Sequence, residues 1–134
     1  MLDRVVISNV YGKHPLVGAG NGIEPSCDGT MILRVGEWNA ERGANWDVFN
    51  NFYPNADIII LNKMDWGMAR SGNIDTTKQM ANQLRINYAY GVEFMELTNG
   101  NKKEINLTVG ELNLVGYHGN VVMTKWPIIE SQIV

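Results

Sequence analysis

Two apolar stretches in this chain each run directly into polar residues, the layout in which strand ends present chemistry at the edge of a sheet. The first reads Met31-Ile32-Leu33-Arg34-Val35-Gly36-Glu37-Trp38-Asn39 and continues Ala40-Glu41-Arg42-Gly43. The second reads Ala56-Asp57-Ile58-Ile59-Ile60-Leu61-Asn62-Lys63 and continues Met64-Asp65-Trp66, and a glycine-bearing loop carrying Arg70, Ser71 and Asn73 follows. Glu41 and Asp65 stand close to these ends and have the oxygens a cation needs, although loop carboxylates are mostly solvated. Lys63 closes the second stretch, where a carboxylate would be more useful. It reads either as a solvated lysine or as a cation that replaces the metal and holds a phosphate group without hydrolysing it. Arg70, with its fork of donors, is a candidate phosphate contact. Asn39 either caps the turn after its strand or faces a site. His118, beside Gly119, reads as a loop residue rather than a ligand or base.

The elements that must position these residues follow from periodicity. A short strand is expected at 5–7 and a first long strand at 32–37. Asn45 caps a short helix to residue 52 that Pro54 stops. The unbroken apolar run at 56–61 is a central strand covered on both faces. A helix over 74–85 presents Thr77, Met80, Ala81 and Leu84 to a core. Tyr88, Tyr90, Val92 and Phe94 alternate as a half-buried strand. Residues 98–114, polar and rich in Asn and Lys, form a long excursion or hairpin. Strands at 120–124 and 128–134 meet at a Trp126-Pro127 corner. Trp38, Trp46, Trp66 and Trp126 read as packing residues rather than stacking platforms.

Composition bounds the rest. The chain has 134 residues, 45% hydrophobic and 19% charged, enough for one domain with an ordinary core. A net charge of −3 and a pI near 5.3 make no bulk electrostatic case for nucleic acid or an anionic membrane. The single cysteine, Cys27, cannot form an internal disulfide. No run has the length of a membrane span, and Met1-Leu2-Asp3-Arg4 lacks the form of an export signal, so a cytoplasmic location is expected. The glycine cluster at 18–22 lacks the Gly-Lys-Ser/Thr ending of a phosphate loop. Residues 1–30 therefore read as a loop-rich lead-in, and 31–134 as the domain. The end at Val134, inside an apolar alternation, is expected to mark a truncation.

Taken together, the stretches at 34–43 and 56–63, with Gly116-Tyr117-His118-Gly119-Asn120-Val121-Val122-Met123-Thr124-Lys125-Trp126-Pro127-Ile128, resemble the endonuclease/exonuclease/phosphatase superfamily of DNase I-like, metal-dependent phosphoesterases. Residues 65–73 and Tyr90-Gly91-Val92-Glu93-Phe94 are similar to a bacterial branch of it. The resemblance covers about residues 31–134 and the N-terminal half of a normal member.

The resemblance implies an α/β fold: half of a two-sheet α/β sandwich, a mixed sheet with helices on one face. It implies that Asn39 helps hold the scissile phosphate or a metal-bound water, and that Asn120 of the Gly-Asn pair lies at the site edge as a phosphate-binding residue. Arg70 and Lys63 complete the candidate phosphate set. The family's cofactor is Mg²⁺, held by a Glu at the position taken here by Lys63. No metal ligand is assigned, and no tight Mg²⁺ binding is expected. The family's Asp-x-Asn motif and terminal Asp-His pair are absent from this sequence. The implied activity is therefore phosphoester hydrolysis by ancestry, with this chain inactive alone. The alternatives are a non-catalytic phosphate-binding module and a functionless fragment. The implied partners are a phosphate ester and, because the missing half would leave an apolar sheet face open, a second copy or a complementing half-domain.

Overall fold

The computed structural model describes residues 5–8 (backbone only), 33–43, 51 and 55–132. The glycine cluster, Cys27, Trp46 and nearly all of the expected helix at 45–52 lie outside these residues. The expected α/β character is borne out. The strands are β1 (Val5–Ser8), β2 (Val35–Arg42), β3 (Ile58–Trp66), β4 (Asn87–Met95) and β5 (Tyr117–Thr124). They form one mixed sheet in the order β1-β4-β5-β3-β2, four long strands with the short β1 at one edge. Only β2 and β3 run parallel; every other neighbouring pair is antiparallel.

The helix α1 (Thr76–Leu84) forms where its apolar stripe predicts, with Asp75 as N-cap accepting from the Lys78 amide. Thr77, Met80 and Ala81 are buried, and Met80 and Ala81 join Ile59, Leu61, Tyr88, Tyr90, Val121 and Met123 of the sheet in one core. Trp66 braces this core edge-on, 5.9 Å from the Tyr90 ring and 5.8 Å from Tyr117. The opposite face carries Ile58, Ile60, Ala89 and Val122 at its centre. Among the described residues it is half open: Val122 is 44% and Val35 53% exposed. Ser131 and Gln132 border a cavity of about 220 Å³ on this face, together with Ile60, Gly91 and Asn120.

Two expectations are corrected. Residues 128–132 do not form a strand. Both edges of β5 are already paired, to β3 and β4, so a following strand has no place beside it in a hairpin. The excursion after β4 is not a hairpin; it contains a second helix, α2 (Lys102–Leu107), which buries none of its residues. A capping box holds α2: the Asn101 side chain accepts from the Lys103 and Glu104 amides, and Glu104 accepts from the Asn101 amide at 2.7 Å. Asparagines latch the rest. Asn113 donates to the Glu96 and Thr98 carbonyls, Asn99 to the Thr108 and Glu111 carbonyls, and Asn73 to that of Leu112. Leu97, Leu107, Val109, Leu112 and Leu114 stand outward, each at least 75% exposed.

Candidate functional site

Three bulges converge at one end of the sheet. Pairing slips between Asn39 and Arg42 in β2, between Leu61 and Met64 in β3, and between Val92 and Phe94 in β4. Bulges bend a strand and re-aim its side chains, and they concentrate beside functional sites. Here they surround a cavity of about 450 Å³ lined by Glu41, Arg42, Lys63, Phe94, Glu96 and His118, with Arg70, Asn101 and Glu104 behind. The described residues include five non-glycine positions in the left-handed region: Glu41, Arg42, Lys63, Asn73 and Arg85. The first three all line this cavity. Such conformations are held by their surroundings at a cost of about 1–3 kcal/mol each.

Behind the cavity lies a buried ion cluster. Asp65, fully buried near the end of β3, accepts two parallel bonds from Arg70, from Nε at 2.9 Å and Nη2 at 3.0 Å. It also accepts from the Ser71 hydroxyl and binds His118 Nδ1 at 2.6 Å. Local structure brings them together. Gly67 N–H bonds the Ile74 carbonyl and closes the loop after β3. A 3₁₀ turn at Ala69–Ser71 then folds Arg70 and Ser71 back onto the strand end. His118 arrives from β5, paired directly opposite Asp65. The His118 ring packs against Phe94, with centroids 4.8 Å apart. Burial pushes the Asp65 carboxyl up, but the bonds from Arg70, His118 and Ser71 and the charge of Arg70 outweigh it and hold the group below its ordinary value.

The other face of Arg70 is occupied as well. Its Nη1 pairs with Glu96 at 2.7 Å and with Glu104 at 3.7 Å, and its side chain is 8% exposed. Arg42 pairs with Glu104 across the cavity wall, yet its buried Nε–H has no acceptor among the described residues. Lys63 is exposed and has no ion-pair partner among them.

The four candidate residues therefore divide. Lys63 and Arg70 reach the cavity, Lys63 as an available cation and Arg70 as a buried tie between carboxylates. Asn39 and Asn120 do not line it. Asn39 alternates with Trp38 and Ala40, which pack on the core, and so sits on the opposite face. Asn120 is on that face too, 3.5 Å from Glu93. His118 and Arg42 belong to the site although the residue pattern marked neither as such, and Asp65, offered there as a possible cation ligand, belongs to it as the buried partner of Arg70. The available signal was the register that sets Asp65 opposite His118, which appears only once β3 and β5 are paired.

A magnesium ion needs several free oxygen donors in a regular shell. Among the described residues, no three His, Cys, Asp or Glu side chains are grouped to hold a metal. Glu96 and Glu104 are already bound by guanidinium groups, and an ammonium shares their cavity. This donor set does not fit Mg²⁺. No described helix is long and apolar enough to cross a membrane. No protein-family model, curated protein or solved structure matches this chain.

Proposed function

We propose that this chain binds a phosphate ester at the bulged end of its sheet. It is built on one half of an endonuclease/exonuclease/phosphatase-like sandwich whose Mg²⁺-ligating position is occupied by Lys63. The observation that carries the reading is the convergence on one cavity of three strained residues, Glu41, Arg42 and Lys63. Backbone strain concentrated at a cavity wall is a mark of binding machinery rather than of packing. Two of the three are cationic, and one of these keeps a buried donor unpaired. Their chemistry is complementary to an oxyanion. Hydrolysis through a metal would need an ion these residues are poorly placed to hold, so the proposed activity is binding.

Calorimetric titration with phenyl phosphate at about pH 5.5, where most of it is the monoanion, tests this. Saturable binding is expected, weakened about tenfold in Lys63→Met, the equivalent of about 1.4 kcal/mol. With added Mg²⁺, no turnover of a generic phosphodiester is expected from the purified chain, and robust Mg²⁺-dependent turnover would overturn the reading.

The backbone of Lys63 gives a second, opposite-signed result. Its φ is +62°, which glycine adopts freely. Lys63→Gly is expected to raise stability by about 0.5–1 kcal/mol, read by urea denaturation, while weakening phenyl phosphate binding as much as Lys63→Met.

A further inference from the structure

We infer that the cavity selects an oxyanion bearing its own hydroxyl proton, such as inorganic phosphate or a monoanionic phosphate monoester, and rejects sulfate. This rests on the binding reading above and narrows it to a ligand class. His118 is the reason. Its Nδ1 lies 2.6 Å from Asp65 Oδ1, and Asp65 already receives Arg70 and Ser71. A carboxylate bound by a guanidinium and a hydroxyl has only lone pairs to offer, so Nδ1 is the nitrogen that carries hydrogen. In the neutral ring Nε2 then presents a lone pair.

The ring is fixed in this sense. His118 is 7% exposed and stacked on Phe94, and turning it over would break the bond to Asp65. Nε2 has no hydrogen-bond partner among the described residues, while the ring lines the cavity. The cavity thus offers one oriented acceptor together with two kinds of donor, the guanidinium of Arg42, whose side chain is 39% exposed, and the Lys63 ammonium. Glu41, also on the wall, is a further acceptor.

Sulfate and phosphate share shape and size, but at neutral pH sulfate is acceptor only. Against Nε2 it would set lone pair against lone pair and leave the ring unpaired. Inorganic phosphate carries at least one P–OH, which can donate to Nε2 while the other oxygens accept from Arg42 and Lys63. A site built to receive a hydrogen bond rejects the isostere that cannot give one.

The experiment titrates the whole chain at pH 7 and matched ionic strength with inorganic phosphate and, separately, with sulfate. Nitrogen-15 spectra of the histidine ring are recorded alongside. Phosphate is expected to bind at least tenfold more tightly than sulfate, with Nε2 of His118 showing the shift of an unprotonated nitrogen. In His118→Gln, whose amide can both donate and accept, the ratio is expected to fall toward one. Should that variant not fold, the wild-type ratio and ring spectrum decide alone. Equal affinity for the two anions, or a protonated Nε2, overturns this inference and leaves phosphate binding standing. Binding of neither anion overturns the phosphate reading itself, and this inference with it.

Discussion

Replacing Asp65 with alanine is expected to destabilise the fold by about 3–5 kcal/mol, the range for removing one partner of a buried ion pair. Asp65 is fully buried, and its loss strands three groups at once. Arg70, 8% exposed, loses both parallel bonds, and neither Ser71 nor His118 Nδ1 keeps its acceptor. The loop after β3 would lose its anchor, and the cavity its floor. Urea denaturation reads the effect as a lower midpoint with an unchanged slope. An unfolding free energy within about 1 kcal/mol of wild type would mean that the cluster is ornamental.

The same carboxylate sets an acid dependence. Burial raises Asp65, but its bonding partners bring it below 3.8. Asp57 follows the same pattern, burial opposed by Lys125 at 2.8 Å and the Arg34 amide at 2.9 Å. For both, the folded value lies below the unfolded one. Their contribution is therefore complete above the unfolded value and lost as pH falls through the folded one. Asp75 acts in the opposite sense: burial raises it, so its contribution favours low pH and fades as pH rises through its folded value. With two groups against one, the urea midpoint is expected to fall as the solution is acidified below the ordinary aspartate value of 3.8, and Asp65→Asn to flatten part of that slope.

Gly119→Ala is expected to cost about 3 kcal/mol, the upper end of the range for overpacking, and to lower the melting temperature by about 10 °C. A Cβ at this position would be driven into the Gly91 carbonyl of β4, with Tyr90 Cζ 3.1 Å away. The obstacle is backbone of the neighbouring strand, so no rotamer change relieves it. Gly72→Ala is the control. Its Cβ would meet nothing within 4 Å, and only its φ of +73° opposes substitution, for about 1 kcal/mol. If the two variants melt together, the close approach of β4 and β5 at Gly119 is not as tight as described.

How far the sequence reaches depends on whether a feature is carried by local pattern or by pairing. The stripe Thr77, Met80, Ala81 is buried as its spacing requires, and the alternation Tyr88, Tyr90, Val92 points inward. The strand expected at 32–37 instead runs Val35–Arg42. Its polar end looks like loop but is drawn into the sheet beside β3 past a bulge. Phe94 departs from the alternation at the β4 bulge and turns outward to cover His118. The helix α2 has no apolar face to announce it, although Asn101 and Glu104 carry a capping-box signature that could have. Lys63 was visible from its position after an apolar run. His118 was not: a lone histidine beside a glycine acquires meaning only from the strand opposite, which no window of neighbouring residues contains. The same limit separates Asn39 and Asn120 from the cavity. Each lies within its strand, and alternation turns both to the other face.

The strand order also constrains when the protein can fold. β5 follows β3 and β4 in sequence yet lies between them, and β3 and β4 share no pairing of their own. Before residues 117–124 emerge from the ribosome, the nascent chain can assemble only two separate ribbons, β1 with β4 and β2 with β3. Two-stranded ribbons of this kind are marginal in water. The cavity end of the sheet, the Asp65–His118 bond included, comes into being in the single step in which β5 slots between its neighbours. Long-range closure of that sort is slow relative to hairpin formation. Synthesis of this chain thus has a long interval in which β3 and β4 are made but paired along one edge only, ended by one strand.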